Sequence, residues 1–125
     1  MYLLDTHTLL WFLFRQEELS DKAKEIIQSS NNLYVSMASL WEIAIKQSIG
    51  KLDINKTIVQ ITEICREQDI EILPIKSEHC DKIKNLPQIH GDPFDRLLVA
   101  QSMIEGLKIL SKDNKIKEYD TEVIW

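Results

Sequence analysis

The chain has 125 residues, of which 44% are hydrophobic and 28% charged, a balance typical of one folded domain rather than of a disordered segment. Its 20 acidic and 15 basic residues give a net charge of -5, which argues against a protein that holds nucleic acid by overall electrostatic attraction. A nucleic-acid partner would need a bound cation, a local lysine and arginine rim or a second subunit to offset phosphate repulsion.

The apolar N-terminus does not predict a targeting or membrane segment. MYLLDTHTLLWFLF contains Asp5 and lacks the basic start and cleavage pattern of a signal peptide. It is also shorter than the roughly 20 apolar residues of a membrane span. We therefore expect one cytoplasmic domain over residues 1–125, with no membrane partner. Cys65 and Cys80 have no metal-binding spacing, which favours buried free thiols over a disulfide or a zinc site.

The first half of the chain alternates short apolar runs with helical patterns. Residues 2–5 predict a strand, and THTLLWFLFRQ predicts a helix after it. Ser20 and Asp21 can begin a second helix, DKAKEIIQSS, and LYVS predicts the second strand. Apolar residues then recur at helical spacing from Ser36 to Ile49, which predicts a helix closed by Gly50.

The second half continues this alternation. Residues 55–68 predict a helix, EILPI predicts the third strand, and Ser77 can cap the helix EHCDKIKNL. The loop NLPQIHGDP precedes a strong helix, FDRLLVAQSMIEG, and LKILS and EVIW predict the last two strands. The alternation predicts an α/β fold: a three-layer α/β/α sandwich with a mostly parallel five-stranded sheet.

Four acidic residues fall where predicted strands pass into the segments that follow them: Asp5, Glu42, Asp95 and Asp113. The carboxyl ends of parallel strands converge on one crevice, so these side chains can meet there. Each also has a local alternative. Asp5 and Asp92 suit helix N-caps, Asp95 suits a first helical turn, Glu42 can pair with Lys46, and Asp113 suits a polar turn. Local roles do not explain why the acids share this placement.

Convergent carboxylates predict a hydrolytic metal site. Such groups raise one another's pKa values unless a cation neutralises them. Oxygen-only ligation favours Mg²⁺ or Mn²⁺, and Mg²⁺ keeps waters of which one can attack a phosphodiester. His7 and His90 are also close to the acids in sequence, but a carboxylate–metal mechanism needs no imidazole base.

Four segments together resemble the PIN-domain nucleases, and the similarity is greatest to the VapC-type toxins of type II toxin–antitoxin pairs. These segments are LLDTHTLLW, VSMASLWEIAIK, GDPFDRLLVAQS and ILSKD, and the resemblance spans the whole chain. It implies a Mg²⁺- or Mn²⁺-dependent endoribonuclease whose catalytic pocket is formed by the four acids. Asp5 and Asp95 are then the direct metal ligands, and Glu42 and Asp113 act directly or through water.

The resemblance also implies supporting residues and partners. Thr6 and Ser111 match hydroxyl positions that support the pocket, and Asp92 lies near enough to assist. A homodimer, an RNA substrate and a cognate antitoxin are implied as partners. The apolar run Leu9–Phe14 exceeds what one helix face needs for a core, which predicts a covered surface.

Lys46 and Arg96 are the basic residues nearest these segments, so they are candidates to contact a substrate phosphate. Their alternative is pairing within the chain, with Glu42 and Asp92.

Two other functions fit an acidic α/β domain. A signalling receiver domain needs a phosphoacceptor Asp at the end of the third strand, where EILPIKSE offers none. A non-catalytic binding module is the other alternative, and the complete set of acids disfavours it.

Overall fold

Five parallel strands form one sheet at the centre of the structure, a computed structural model that describes residues 1–125. The strands are β1 (Tyr2–Leu4), β2 (Leu33–Ser36), β3 (Ile70–Leu73), β4 (Lys108–Leu110) and β5 (Val123–Ile124). Their order in the sheet is β3-β2-β1-β4-β5, and every neighbouring pair is parallel. The predicted α/β class and five-stranded sheet are therefore confirmed.

Six helices connect the strands, each at a place where the sequence predicts one. They are α1 (Thr6–Phe14), α2 (Asp21–Ser29), α3 (Met37–Ser48), α4 (Ile58–Glu67), α5 (Ser77–Lys84) and α6 (Pro93–Glu105). Two short 3₁₀ turns lie at Gln16–Glu18 and Ile116–Glu118. No helix is both long enough and apolar enough to cross a bilayer.

Capping side chains determine where several helices begin. Ser20 and Ser36 accept backbone N–H bonds at the starts of α2 and α3. Helix α4 begins three residues later than predicted because Thr57 and Gln60 form a capping box. The prediction that Ser77 caps α5 is wrong. Ser77 is the first helical residue, and His79 Nδ1 accepts the N–H of Lys76 at 2.9 Å.

The two faces of the sheet are covered by different helices, which makes the three predicted layers. Leu4, Val35 and Leu110 pack on one face with buried residues of α1, α2, α3 and α4. Leu3 and Ile109 point to the other face, where they pack with α6. Neighbouring residues of a strand face opposite sides, so near-continuous apolar strands are required for burial on both faces. Cys65 is buried as predicted, whereas Cys80 is exposed, and both are free thiols.

The strand order places a crevice between β1 and β4. The chain runs from β1 outward to β3 and then returns to β4 on the opposite side of β1. Ligands of open α/β sheets bind at such a switch point, beyond the carboxyl ends of the strands. Asp5 directly follows β1 and Ser111 directly follows β4, so both lie at this crevice.

The same order disfavours the receiver-domain alternative. In that fold the third strand lies in the middle of the sheet, next to the first strand, at its switch point. Here β3 is an edge strand that pairs only with β2. No acidic residue follows β3 directly, because Pro74 and Ile75 occupy those positions.

Exposed apolar side chains are concentrated on α3 rather than on α1. Leu9 is buried, residues 10–13 are partly buried, and only Phe14 of the predicted α1 surface is exposed. On α3, four apolar side chains at four-residue spacing are 37–59% exposed: Met37, Trp41, Ile45 and Ile49. We call these four residues the α3 stripe. An apolar stripe of this kind on a surface helix marks a candidate interaction surface.

Candidate metal centre

A small acidic pocket lies beyond the carboxyl ends of β1 and β4. Its volume is about 60 Å³, and no hydrophobic residue lines it. The lining residues are Asp5, Thr6, His7, Glu42, Lys46, Asp92, Asp95 and Asp113. Sites for organic ligands measure roughly 300–1,000 Å³, so this pocket has the size for an ion and some of its waters.

A larger concavity of about 690 Å³ lies elsewhere, at the amino ends of β2 and β3. Its charged lining residues are Arg66, Asp69 and Glu71. They form no convergent group of acids. We therefore take the small acidic pocket as the functional site, since chemistry depends on convergent groups more than on size.

Asp5 caps α1 and also faces the pocket, so the two predicted roles coexist. Its Oδ1 accepts the backbone N–H of Thr8 at 2.8 Å, and its Oδ2 accepts the hydroxyl of Ser111 at 2.5 Å. Burial raises the pKa of Asp5, although the hydrogen bonds from Ser111 and Thr8 oppose the rise. No basic side chain pairs with this carboxylate in the structure.

Glu42 projects from α3 and is also buried, with 6% of its surface exposed. Thr6 Oγ1 donates to Glu42 Oε1 at 2.6 Å and lies 3.0 Å from Ser39 Oγ. Lys46 Nζ lies 2.9 Å from Glu42 Oε2. The i,i+4 ion pair that was the local alternative is therefore present, and it forms inside the pocket lining.

Asp92 and Asp95 bring the start of α6 to the pocket. Asp92 Oδ1 accepts the N–H groups of Phe94 and Asp95 at 2.8 and 3.3 Å, and Pro93 occupies the first helical turn. Burial raises the pKa of Asp95 to about 7, and the nearby charge of Asp92 contributes to the rise. Asp92 is therefore the cap, and Asp95 is the acid presented to the crevice.

Asp113 forms the turn after β4 and is hydrogen-bonded at both oxygens. Its Oδ1 accepts the N–H of Lys115 at 2.7 Å, and its Oδ2 lies 2.9 Å from His90 Nε2. Ser111 Oγ accepts the N–H of Asp113 at 3.0 Å and donates to Asp5. Burial alone would raise the pKa of Asp113, but the bonds from His90 and Lys115 outweigh it and lower the pKa.

Arg96, which was predicted as a candidate phosphate contact, does not line the pocket. Its guanidinium donates to the carbonyls of Pro87 and Ile83 at 2.8 and 3.2 Å and to the hydroxyl of Tyr119 at 3.1 Å. It is 8% exposed and forms no pair with Asp92. Helix α6 therefore directs the guanidinium of Arg96 toward the loop that precedes it, and the hydrogen bonds of Arg96 are made within the protein.

Three residues at the site were not assigned a role from sequence. His7 follows Thr6 and lines the pocket. Ser39 lies one helical turn before Glu42 on α3 and contacts Thr6, and the three-residue spacing was its only signal. His90 contacts Asp113 and lies 3.2 Å from Asp95 Oδ2. The contacts of His90 could not be predicted because the conformation of its loop was unknown from sequence. Its closeness to Asp92 and Asp95 in sequence was the only signal.

The donor set of the pocket fits a hard divalent cation. Lys46 lies against Glu42, and His90 lies against Asp113 and, at 3.2 Å, Asp95. Burial nevertheless raises the pKa values of Asp5 and Asp95. A bound cation would relieve that cost, since a nearby positive charge favours the charged form of a carboxyl group. Carboxylate oxygens are the ligands that Mg²⁺ and Mn²⁺ prefer, and Asp5 and Asp95 are the acids best placed to supply them.

Comparison with known proteins finds one matching family and several similar structures. The family model of the PIN domain matches residues 2–122 of this chain. Ribonuclease VapC22 of Mycobacterium tuberculosis is 22% identical over 117 residues, which cover 94% of this chain and 90% of that protein.

Among solved structures, VapBC2 from Rickettsia felis bound to a DNA fragment from its promoter has a TM-score of 0.73 at 12% identity, covering 98% of this chain and 96% of that chain. A toxin–antitoxin complex from Klebsiella pneumoniae has a TM-score of 0.66 at 16% identity, covering 100% and 97%. At these low sequence identities, the structural matches show a similar fold and nothing more.

Proposed function

The chain belongs to the PIN domain family, and we propose that it is a divalent-metal-dependent endoribonuclease, the toxin of a type II toxin–antitoxin pair. The observation that carries this proposal is the pocket in which Asp5, Glu42, Asp95 and Asp113 meet from four separate segments. The similarity to a protein named as a ribonuclease supports the activity. The similarity to chains of toxin–antitoxin complexes supports the biological role.

Asp5 and Asp95 hold the cation, which is Mg²⁺ or Mn²⁺, and Glu42 and Asp113 contact it directly or through water. When bound, the cation supplies Lewis-acid activation of water and neutralises charge that develops on the phosphate. The protein's own part is orientation. Ser111 and the N–H of Thr8 hold the two oxygens of Asp5, and Thr6 holds one oxygen of Glu42, so both carboxylates are fixed in orientation in the pocket lining.

Lys46 is the basic residue that remains a candidate for substrate binding. It lines the pocket and its ammonium lies against Glu42. In a chain with a net charge of -5, one ammonium and one divalent cation at the crevice give the local positive charge that an RNA phosphate needs. RNA therefore binds where the cation is bound, and not over the protein surface in general.

The proposed partners are a second copy of the chain and an antitoxin that covers the acidic pocket. The antitoxin is supported by the toxin–antitoxin complexes among the similar structures. We place the protein in the cytoplasm, where its RNA substrate and antitoxin are made and where its two free cysteines stay reduced. The α3 stripe supports the homodimer, because four aligned apolar side chains are left uncovered in the single chain.

Trp41→Glu is expected to convert the dimer to a monomer. Trp41 is 57% exposed and lies in the middle of the α3 stripe, so a charge there would be buried without a partner in an α3-to-α3 interface. Sedimentation velocity of the free toxin measures the change. Val59→Glu is the matched control, because Val59 is 69% exposed on α4. A Trp41→Glu protein that remains dimeric would contradict an interface on the α3 stripe.

The nuclease proposal is tested by incubating the purified protein with a pool of structured RNAs in Mg²⁺, Mn²⁺ or EDTA. We expect cleavage with either metal, none in EDTA, and inhibition when the cognate antitoxin is added. Restoring the metal after EDTA treatment should restore cleavage, which separates metal dependence from loss of protein. Cleavage that persists unchanged in EDTA would reject the metal mechanism.

A further inference from the structure

His90 makes hydrogen bonds through both ring nitrogens and through its backbone N–H. Its Nε2 lies 2.9 Å from Asp113 Oδ2 and 3.2 Å from Asp95 Oδ2. Its Nδ1 accepts the backbone N–H of Asp92 at 3.1 Å, and its own backbone N–H donates to the hydroxyl of Tyr119 at 2.8 Å. The imidazole therefore cannot turn without breaking bonds at both ring nitrogens.

Two buried side chains, Tyr119 and Arg96, fix the position of the loop that carries His90. The hydroxyl of Tyr119 also accepts from Arg96 Nη1 at 3.1 Å, and Tyr119 is 4% exposed. Arg96 in turn binds the carbonyl of Pro87 at 2.8 Å, three residues before His90. A continuous chain of hydrogen bonds thus runs from a buried arginine through a tyrosine to the loop that carries His90. Through these hydrogen bonds, Arg96 and Tyr119 fix the position of the loop that carries His90.

The contacts of His90 determine which ring nitrogen carries the proton in the neutral imidazole. Because Asp92 N–H donates to Nδ1, that nitrogen must offer a lone pair. Nε2 then carries the hydrogen and donates it to Asp113 Oδ2, while Asp95 Oδ2 lies 3.2 Å from the same nitrogen. A nitrogen that donates a hydrogen bond has no lone pair for a metal, so His90, Asp95 and Asp113 do not form a three-ligand metal site although their polar atoms are close together.

We propose that His90 is a positioning residue: its Nε2–H donates to one oxygen of Asp113 and lies against one oxygen of Asp95, so that the other oxygens of both acids are presented to the divalent cation. The two acids come from α6 and from the turn after β4, and in the structure His90 is the one side chain that contacts both. Without it, the mutual repulsion of these carboxylates would move them apart. The inference rests on the proposed metal-dependent function, since it concerns how that pocket is organised.

A pair of substitutions separates the contributions of the two ring nitrogens of His90. The amide nitrogen of His90→Gln can reach the position of Nε2 and donate to the carboxylates, but it leaves Asp92 N–H without its partner. The amide oxygen of His90→Asn can replace Nδ1 as the acceptor for Asp92 N–H, but this shorter side chain does not reach Asp95 or Asp113. His90→Ala removes both contacts.

The first measurement is Mn²⁺ affinity by titration calorimetry on the full chain without RNA. We expect His90→Asn and His90→Ala to weaken Mn²⁺ binding about 10–100-fold, as loss of a group that orients metal ligands usually does. His90→Gln is expected to keep most of the affinity. Melting followed by circular dichroism in EDTA identifies the variants that fold, and the Gln and Asn pair decides the question even where the Ala variant does not fold.

Equal loss in the Gln and Asn variants, or full affinity in the Asn variant, would overturn the proposal. A second readout is pulsed electron paramagnetic resonance of the bound Mn²⁺. We expect no directly coordinated nitrogen, and a ¹⁴N coupling that disappears in His90→Ala would make His90 a ligand instead. Neither measurement uses RNA, so both remain decisive if the protein cleaves no RNA. Conversely, RNA cleavage by the native chain would not by itself support the role of His90.

Discussion

Asp5→Asn is expected to lower metal-dependent RNA cleavage by about a thousandfold or more, which corresponds to the several kcal/mol that a correctly held cation contributes. The substitution removes the ligand charge and keeps the shape. Asparagine can still accept the N–H of Thr8 that caps α1, and its amide can bond to the Ser111 hydroxyl. Because burial raises the pKa of Asp5, losing its charge does not destabilise the metal-free fold.

Single-turnover cleavage rates in Mg²⁺ and in Mn²⁺ measure this effect, and thermal melting in EDTA measures the fold. Asp53→Asn makes the same chemical change at an exposed residue outside the pocket, and it should leave both quantities unchanged. If Asp5→Asn protein cleaves RNA at the native rate with metal and not in EDTA, the assignment of Asp5 as a ligand is wrong. The same comparison applies to Asp95→Asn.

The metal-free protein is expected to lose stability as the pH rises from about 4 to about 7. The pKa of Asp95 is about 7 in the folded protein, against an ordinary value of 3.8. Between these values the unfolded chain has released a proton that the folded protein keeps, so the free energy of unfolding falls with rising pH. The raised pKa of Asp5 acts in the same direction. For Asp95 alone the effect is on the order of a few kcal/mol.

Urea unfolding in EDTA across this pH interval measures the loss. Asp95→Asn should flatten the dependence, because the amide has no proton to release. Excess Mg²⁺ or Mn²⁺ should reverse the trend and stabilise the protein most at the higher pH, since metal ligation requires deprotonated carboxylates. If the native chain and Asp95→Asn show the same pH dependence in EDTA, Asp95 is not the group that titrates.

The interaction surface is the part of the molecule where sequence and structure differ most. The length of the apolar run Leu9–Phe14 suggested a surface on α1, but most of that run packs against the core that α1 shares with α2, α3 and α4. The exposed stripe is on α3 instead, where Met37, Trp41, Ile45 and Ile49 alternate with buried residues of the same helix. Composition showed that apolar residues were in excess, and packing decided which of them remain uncovered.

The sequence by itself determined the succession of strands and helices, and with it most of the acidic pocket. Those features are local. Apolar periodicity predicts each element, capping residues such as Asp92 and Gly106 mark helix ends, and parallel strands bring their carboxyl ends to one edge wherever they pair. The four acids could therefore be grouped before any contact was known.

The i,i+4 pair of Lys46 with Glu42 could be predicted from the sequence, but only the tertiary structure decided how Arg96 and His90 are placed. Arg96 follows Asp95 directly in sequence, yet it points away and holds the loop before α6, whereas His90 contacts Asp113 and Asp95. The direction in which a long polar side chain points depends on the packing of its helix and on which carbonyls nearby lack a donor. The shape of a loop depends on partners far along the chain, such as Tyr119 for His90. These are long-range contacts, which no local pattern of residues specifies.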